Sequence, residues 1–344
     1  MKKEIGSEYW LEEYNQEGNL NYFNLGTDYK FLFSGRSALD YVLKNIDVNN
    51  KTVYMPVYCC ESMVRPFLDN GYEIIYYNVG YDNEFTYDID INVDCGIFMA
   101  MSYFGFSSSI MDKYIKLFKK KNKIVIEDIT HRLFQKDNYC CNSDYLVASL
   151  RKWFPIYSGG LAVNVYEKFK VSTSDYKVDE ELIRLKKMAM SLKKQYMNDE
   201  FDNKVKFLEI YQECNKLFLD YQDKLMDKES LDMLDKFDIK TMIQKRKENT
   251  EKIYKMLKNN SQIKLLFPYK ENDCPLFVPI LVNNRDIIKS KLLKENIYCP
   301  NHWPNFNEVD NNLYHKELSL ICDHRYNLTD IEEYLNKLIK IVGE

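Results

Sequence analysis

Along the first half of the chain, short unbroken apolar runs alternate with longer stretches in which apolar residues recur every three or four positions. Phe31-Leu32-Phe33 is followed by apolar residues at 38, 39, 42, 43 and 46, the spacing of one helix face. Thr52-Val53-Tyr54-Met55 reads as a strand stopped by Pro56, residues 62–70 as a helix closed by Gly71, and residues 72–79 as the next strand. The run at 95–102, the amphipathic stretch at 111–121 and the runs Ile124-Val125-Ile126, Tyr145-Leu146-Val147-Ala148 and 161–165 continue the alternation. Strands alternating with helices predict an α/β fold on a mainly parallel, doubly wound sheet, and Gly159-Gly160 before the last run predicts an antiparallel return.

Beyond Tyr166 the pattern changes to Lys- and Glu-rich helical stretches at 178–225 and 238–257 that contain neither glycine nor proline. Strand-like patterning resumes at Leu276-Phe277-Val278, followed by helices at 285–295 and 329–342. The expected organisation is an N-terminal arm over residues 1–30, a large domain over 31–177, connecting helices over 178–258 and a smaller C-terminal α+β domain over 259–344.

With 344 residues, 45% of them hydrophobic, the chain can bury one large core and a smaller one. The 48 Lys and Arg residues against 52 Asp and Glu leave a net charge of −4, which excludes a strong basic field for nucleic acid or anionic lipid. No apolar run is long enough to cross a bilayer, and Met1-Lys2-Lys3-Glu4 does not open a signal-peptide core, so a cytoplasmic protein is expected. Nine cysteines include the adjacent pairs Cys59-Cys60 and Cys140-Cys141, which lack the two-residue gap of zinc or redox motifs. With four scattered histidines, no metal site is expected and reduced thiols are.

The chemistry lies where two apolar runs end. Ile124-Val125-Ile126 stops at Glu127-Asp128, and the run 145–148 stops at Ser149-Leu150-Arg151-Lys152. In open α/β sheets ligands bind beyond the carboxyl ends of the strands, which puts Asp128 and Lys152 on one rim. Taken singly, each is also what a solvated strand end looks like. Together, an amine and a carboxylate suit an aldehyde cofactor with a basic ring nitrogen: the lysine bonds the aldehyde and the acid keeps the ring nitrogen protonated. That cofactor is pyridoxal 5'-phosphate. Ser34-Gly35-Arg36-Ser37-Ala38 opens a helix, whose free N–H groups and dipole favour a phosphate; the same residues also make an ordinary helix cap.

Val125-Ile126-Glu127-Asp128, Ser149-x-Arg151-Lys152 and Gly159-Gly160 resemble the DegT/StrS family of aminotransferases. The resemblance continues through Ser34 to Leu39, Met55-Pro56-Val57-Tyr58, Tyr103-Phe104-Gly105, His302-Trp303-Pro304 and Leu318-Ser319-Leu320. It implies the type I fold of pyridoxal phosphate enzymes and a homodimer with the active site at its interface. It also implies transfer of an amino group from an amino acid, L-glutamate, to a nucleotide-linked keto-sugar, for surface polysaccharide or secondary metabolites.

By the same resemblance, Lys152 and Asp128 are catalytic, and Gly35, Arg36, Ser37, Ala38 and Ser149 hold the phosphate. His131, three residues after Asp128, meets the ring hydroxyl where glutamine is usual; a histidine at a helix start also has a purely structural reading. Cys60 stands where many members carry an aromatic ring against the cofactor, and Tyr58 is the nearby substitute. His302 and Trp303 face the substrate, although a buried tryptophan beside a turn proline satisfies the same pattern. Arg151 supplies a cation that favours a deprotonated lysine.

Three departures stand out: Cys60, Ser102 in place of a histidine, and the lack of a Gly-x-Asn-x-Arg-Met segment through which a neighbouring subunit reaches the phosphate. They keep open a catalytically silent binding or regulatory subunit. A sugar dehydratase is the other alternative, and Lys152 argues against it, because that variant carries histidine there.

Overall fold

The computed structural model describes residues 4–12, 19–135, 139–305 and 311–343. The strands, in chain order, are β1 (Ile5–Gly6), β2 (Asp28–Leu32), β3 (Thr52–Pro56), β4 (Glu73–Asp82), β5 (Glu84–Asp88), β6 (Ile97–Met101), β7 (Ile124–Asp128), β8 (Tyr145–Ser149), β9 (Gly160–Asn164), β10 (Lys264–Leu265), β11 (Val278–Leu281), β12 (Ile297–Tyr298) and β13 (Glu317–Leu320). The helices are α1 (Gly35–Lys44), α2 (Glu61–Asp69), α3 (Ile110–Lys120), α4 (Glu180–Met197), α5 (Lys204–Leu217), α6 (Lys228–Lys236), α7 (Ile239–Leu257), α8 (Arg285–Lys294), α9 (Asn312–Lys316) and α10 (Leu328–Gly343).

Among the described residues, eight strands form one sheet in the order β2-β9-β8-β7-β6-β3-β4-β5. The central pairs β8/β7, β7/β6, β6/β3 and β3/β4 are parallel, and the flanking pairs β2/β9, β9/β8 and β4/β5 are antiparallel. Every residue of β6 and β9 is buried, as expected of strands covered on both faces. The antiparallel return after Gly159-Gly160 is therefore β9, threaded between β8 and β2. β10, β11 and β13 form a second, antiparallel sheet, and β1 pairs in parallel with β12.

The helical stretch expected at 178–225 is broken. α4 stops at Asn198, Asp199 takes a left-handed φ of 61°, and Asn203 caps α5 by accepting the Lys206 N–H. Asparagine and aspartate favour turns through their own side-chain hydrogen bonds, and these short polar residues override the helical composition around them. The strand expected at 276–278 lies two residues later, as β11. β2 starts at Asp28, inside the stretch expected to be the arm. β5, unexpected from the sequence, closes a hairpin with β4 across Asn83, whose φ is 59°. No helix of the described residues is long and apolar enough to cross a membrane.

One close approach positions the site. β9 passes beneath the loop that opens α1, and a Cβ built on Gly160 would overlap the Ser34 carbonyl. Gly160→Ala is expected to cost about 2–3 kcal/mol in equilibrium unfolding, the scale of overpacking a rigid contact. An unchanged urea midpoint would show that the loop yields freely.

Candidate active site

The parallel register sets Asp128 opposite Met101 and Val147, so the acid stands at the carboxyl end of the sheet's middle strands. Ser149 ends β8, and the next residues, Leu150–Lys152, make one 3-10 turn that carries Lys152 back over the same rim. Asp128 and Lys152 then line one cavity of about 250 Å³ together with Gly35, Arg36, Cys60 and Ser149. The Lys152 side chain is exposed to this space, and its Nζ bonds no described residue.

Thr130 ties the two strand ends together. Its N–H donates to Asp128 Oδ1 at 2.7 Å, its hydroxyl accepts the Ser149 N–H at 3.0 Å, and its carbonyl accepts the Trp153 indole N–H at 2.6 Å. Burial raises the Asp128 pKa, against the opposing pull of the Thr130 hydrogen bonds and the Lys152 charge. Next to it, Glu127 is fully buried, accepting from Ser143 Oγ at 2.6 Å and Arg132 Nη1 at 3.2 Å. Burial pushes its pKa up to about 7 in spite of Arg132.

At the other end of the cavity, Ser34 caps α1, its Oγ accepting the Ser37 N–H at 3.2 Å. Gly35 approaches Ser149 so closely that an added Cβ would lie 3.0 Å from the serine Cβ. Arg36 and Arg151 both reach this end. Arg36 Nη1 donates to the Phe218 carbonyl at 3.0 Å, and the Arg151 guanidinium lies 3.6 Å over the Phe218 ring. Each Nε is buried without a hydrogen-bond partner. Burial lowers the Arg151 pKa to about 10, partly opposed by the Glu8 charge. Ser37 and Ala38, expected at the phosphate, sit inside α1 and do not line the cavity; the Ser37 hydroxyl lies 3.0 Å from Ser34 Oγ. Ser34, Thr130 and Asn215 line it instead.

Cys60 lines the cavity with its Sγ 2.9 Å from Ser62 Oγ. Tyr58 points away, donating to the His302 carbonyl inside an aromatic cluster with Tyr103, Trp303 and Tyr314. Trp303 is buried as well and stacks on His131, with ring centroids 5.6 Å apart. Tyr58, Trp303 and His131, all expected at the cofactor or substrate, line neither this cavity nor the one beside it. His131 accepts the Phe104 N–H at Nδ1, at 2.9 Å. Its Nε2 therefore carries the ring proton, and that atom is buried without a partner. Burial, then the charges of Lys152 and His302, holds the His131 pKa well below the usual imidazole value. The donor Phe104 sits at a φ of 61°, a costly backbone for an aromatic residue.

A second cavity of about 490 Å³ adjoins the first, sharing Arg151 and Lys152 as a party wall. Its other walls are the arm residues Gly6–Tyr9, Arg246 on α7, Lys289 on α8, and His302, Asp323 and Arg325. Arg325 pairs with Asp323 at 2.7 Å and donates to the Glu8 carbonyl at 3.2 Å. The arm is held by buried Glu4, which pairs with Lys193 at 3.3 Å and with Lys204, and by Glu8 with Lys186 at 2.8 Å. The Lys186 charge, against burial, lowers the Glu8 pKa to about 2. The sequence reading missed Arg246, Lys289 and Arg325. Arg246 is 1% exposed, with its guanidinium over Trp153 and its N–H groups on the Pro275 and Leu276 carbonyls, in a stretch whose composition reads as solvated. Among the described residues no cluster of His, Cys, Asp and Glu could hold a metal.

No protein-family model and no curated protein matches the sequence. Solved structures match along nearly all of it. Helicobacter pylori PseC, an aminotransferase involved in the biosynthesis of pseudoaminic acid, is 18% identical, covering 99% of this chain and 100% of its own at a TM-score of 0.68. NtdA from Bacillus subtilis with bound cofactor PMP is 13% identical, with 96% and 79% covered and a TM-score of 0.65. A DegT DnrJ EryC1 StrS aminotransferase from Brucella abortus is 14% identical, with 94% and 88% covered and a TM-score of 0.60. The chain therefore has the type I fold of these aminotransferases.

Proposed function

We propose that the chain is a pyridoxal phosphate-dependent aminotransferase of the DegT/StrS kind, moving an amino group from L-glutamate to the keto group of a nucleotide-linked sugar. One observation carries this reading: Asp128 and Lys152 meet in a cavity whose far end is a helix N-terminus flanked by two arginines. The residues fit the cofactor. The partnerless Nε atoms of Arg36 and Arg151, and Gly35 at the start of α1, suit a phosphate.

When bound, the cofactor supplies an aldehyde that bonds amines and a ring that accepts electrons. Asp128 holds the proton on the ring nitrogen. Lys152 would anchor the cofactor and, once freed by the donor's amine, would serve as the base that holds and moves the proton. The second cavity receives the substrates, its cations suited to carboxylate and phosphate. The homodimer implied by the resemblance is supported by apolar side chains exposed on and beside α4 and α5: Met188, Val205, Leu208 and Leu219. A cytoplasmic setting accords with the free cysteines of the chain.

Glutamate alone should convert the cofactor-loaded dimer to its aminated form and bleach the band near ~410–430 nm, because the first half-reaction needs no sugar. A silent subunit shows no change with any amino acid. Failure of glutamate, glutamine, alanine and aspartate alike would sink the aminotransferase reading. A monomer by light scattering would remove the dimer.

A further inference from the structure

His302 stands on the wall of the second cavity, and a line of buried polar groups runs behind it. Its Nδ1 lies 2.7 Å from Ser319 Oγ, which donates to Glu317 Oε1 at 2.5 Å. The other carboxyl oxygen, Oε2, accepts the backbone N–H of His302 at 2.6 Å. Glu317 and Ser319 are 0% exposed, and no cation pairs with the Glu317 carboxyl among the described residues. His302 Nε2 bonds no described residue.

With the imidazole neutral, these contacts permit two proton arrangements that keep every bond. Oε2 already faces a donor, so a proton on Glu317 must sit on Oε1, facing Ser319. The serine then donates to Nδ1, and the neutral ring carries its hydrogen on Nε2. With Glu317 ionised, the serine donates to the carboxylate and accepts from Nδ1–H, leaving Nε2 as a bare lone pair. The imidazole is neutral in both arrangements; burial and the Lys152 charge press its own pKa down to about 3.

We propose that Glu317 and Ser319 set which end of a hydrogen bond His302 offers, and that with the proton on Glu317 the Nε2–H holds the carboxylate of the amino-acid donor beside Lys152. His302 is then a substrate-binding residue, and Glu317 and Ser319 are positioning residues. The ligand chemistry follows from the walls, where among the described residues Arg151, Lys152, Arg246, Lys289 and Arg325 outnumber Glu8 and Asp323. The inference rests on the aminotransferase reading for its substrate, and on geometry alone for its proton relay.

Burial pushes the Glu317 pKa up to about 8, against the Ser319 and His302 hydrogen bonds and the charges of Arg285 and Lys289. The protonated arrangement therefore prevails below that pH and is lost above it. Arg285 is engaged with the Glu317 and Tyr314 carbonyls and with Asp286, and Lys289 with Asn301. Tyr58, Tyr314 and Cys299 also pack here, each with its pKa raised by burial. Behind the arm Lys193, held by Glu4 and the Glu8 carbonyl, is lowered to about 8 by burial, and it is a rival titrating group.

The variant Glu317→Gln separates the two. Its amide N–H donates to Ser319 and its carbonyl accepts from His302 N, which fixes the protonated arrangement, while Lys193 still titrates. The chain has four histidines, so 15N-histidine spectra assigned with His302→Gln read the tautomer directly. Wild type should change from Nε2–H to Nδ1–H between pH 7 and 9, and Glu317→Gln should stay Nε2–H throughout. In parallel, the KM for glutamate in the half-reaction should rise about tenfold over that range in wild type and stay low and flat in Glu317→Gln. In Ser319→Ala, where the link to Glu317 is cut, it should be flat. A wild-type tautomer that does not change, or a Glu317→Gln that follows wild type, overturns the relay. A tautomer change with KM unmoved overturns the carboxylate assignment. Absence of any half-reaction, with the tautomer change intact, overturns the aminotransferase reading and leaves the relay standing.

Discussion

Lys152→Ala is expected to purify with cofactor that borohydride cannot fix to the protein, and with transamination abolished. Lys152 lines the cavity opposite Asp128, and its Nζ has no competing partner among the described residues, so it is the amine placed to bond the aldehyde. Intact mass after reduction should show the cofactor's added mass in wild type and the bare chain in the variant. Cofactor still fixed in Lys152→Ala would mean that another lysine carries it, and the reading of Ser149-x-Arg151-Lys152 would fall.

Asp128→Asn should keep the cofactor yet lose at least about a hundredfold in rate, or ~2–3 kcal/mol of transition-state stabilisation. A neutral amide still accepts the Thr130 N–H, so the turn survives. What it cannot do is hold a proton on a ring nitrogen. A near-normal single-turnover rate would remove Asp128 from the mechanism; Glu127 beside it is committed to Arg132, Ser143 and the Cys140 N–H.

That Asp128 and Lys152 meet at one rim was legible because apolar strands end where their polar residues begin, and in parallel sheets those ends meet. The anion cradle was legible in part. Ser34 and Gly35 announce a helix start, but which hydroxyl faces the cavity depends on the cap itself, which takes up Ser37. The tautomer of His131 could not be read at all, since it depends on the Phe104 N–H from a turn on another strand end. Nor could the second cavity. Its cations come from stretches that look solvated, and their burial depends on stacking against Trp153, Tyr9 and Trp10 and on backbone carbonyls far away in sequence. Tyr58 and Trp303 sit in short motifs that the resemblance covers, and a buried tryptophan was one reading of the pattern; both fill an aromatic cluster and line neither cavity.

The pairing of β1 with β12 also fixes an order of events during synthesis. Every wall of the first cavity lies between Ser34 and Phe218, so a growing chain possesses them well before its last strands exist. The second cavity needs residues 6–9 together with residues 276–325, and Gly6 meets its register partner Tyr298 only when the latter has been made. Closing so long a loop is slow and comes late, because its entropy is lost before its contacts are gained. The first cavity can therefore form on a nascent chain that still lacks the second, and the arm, made first, is among the last segments to find its place.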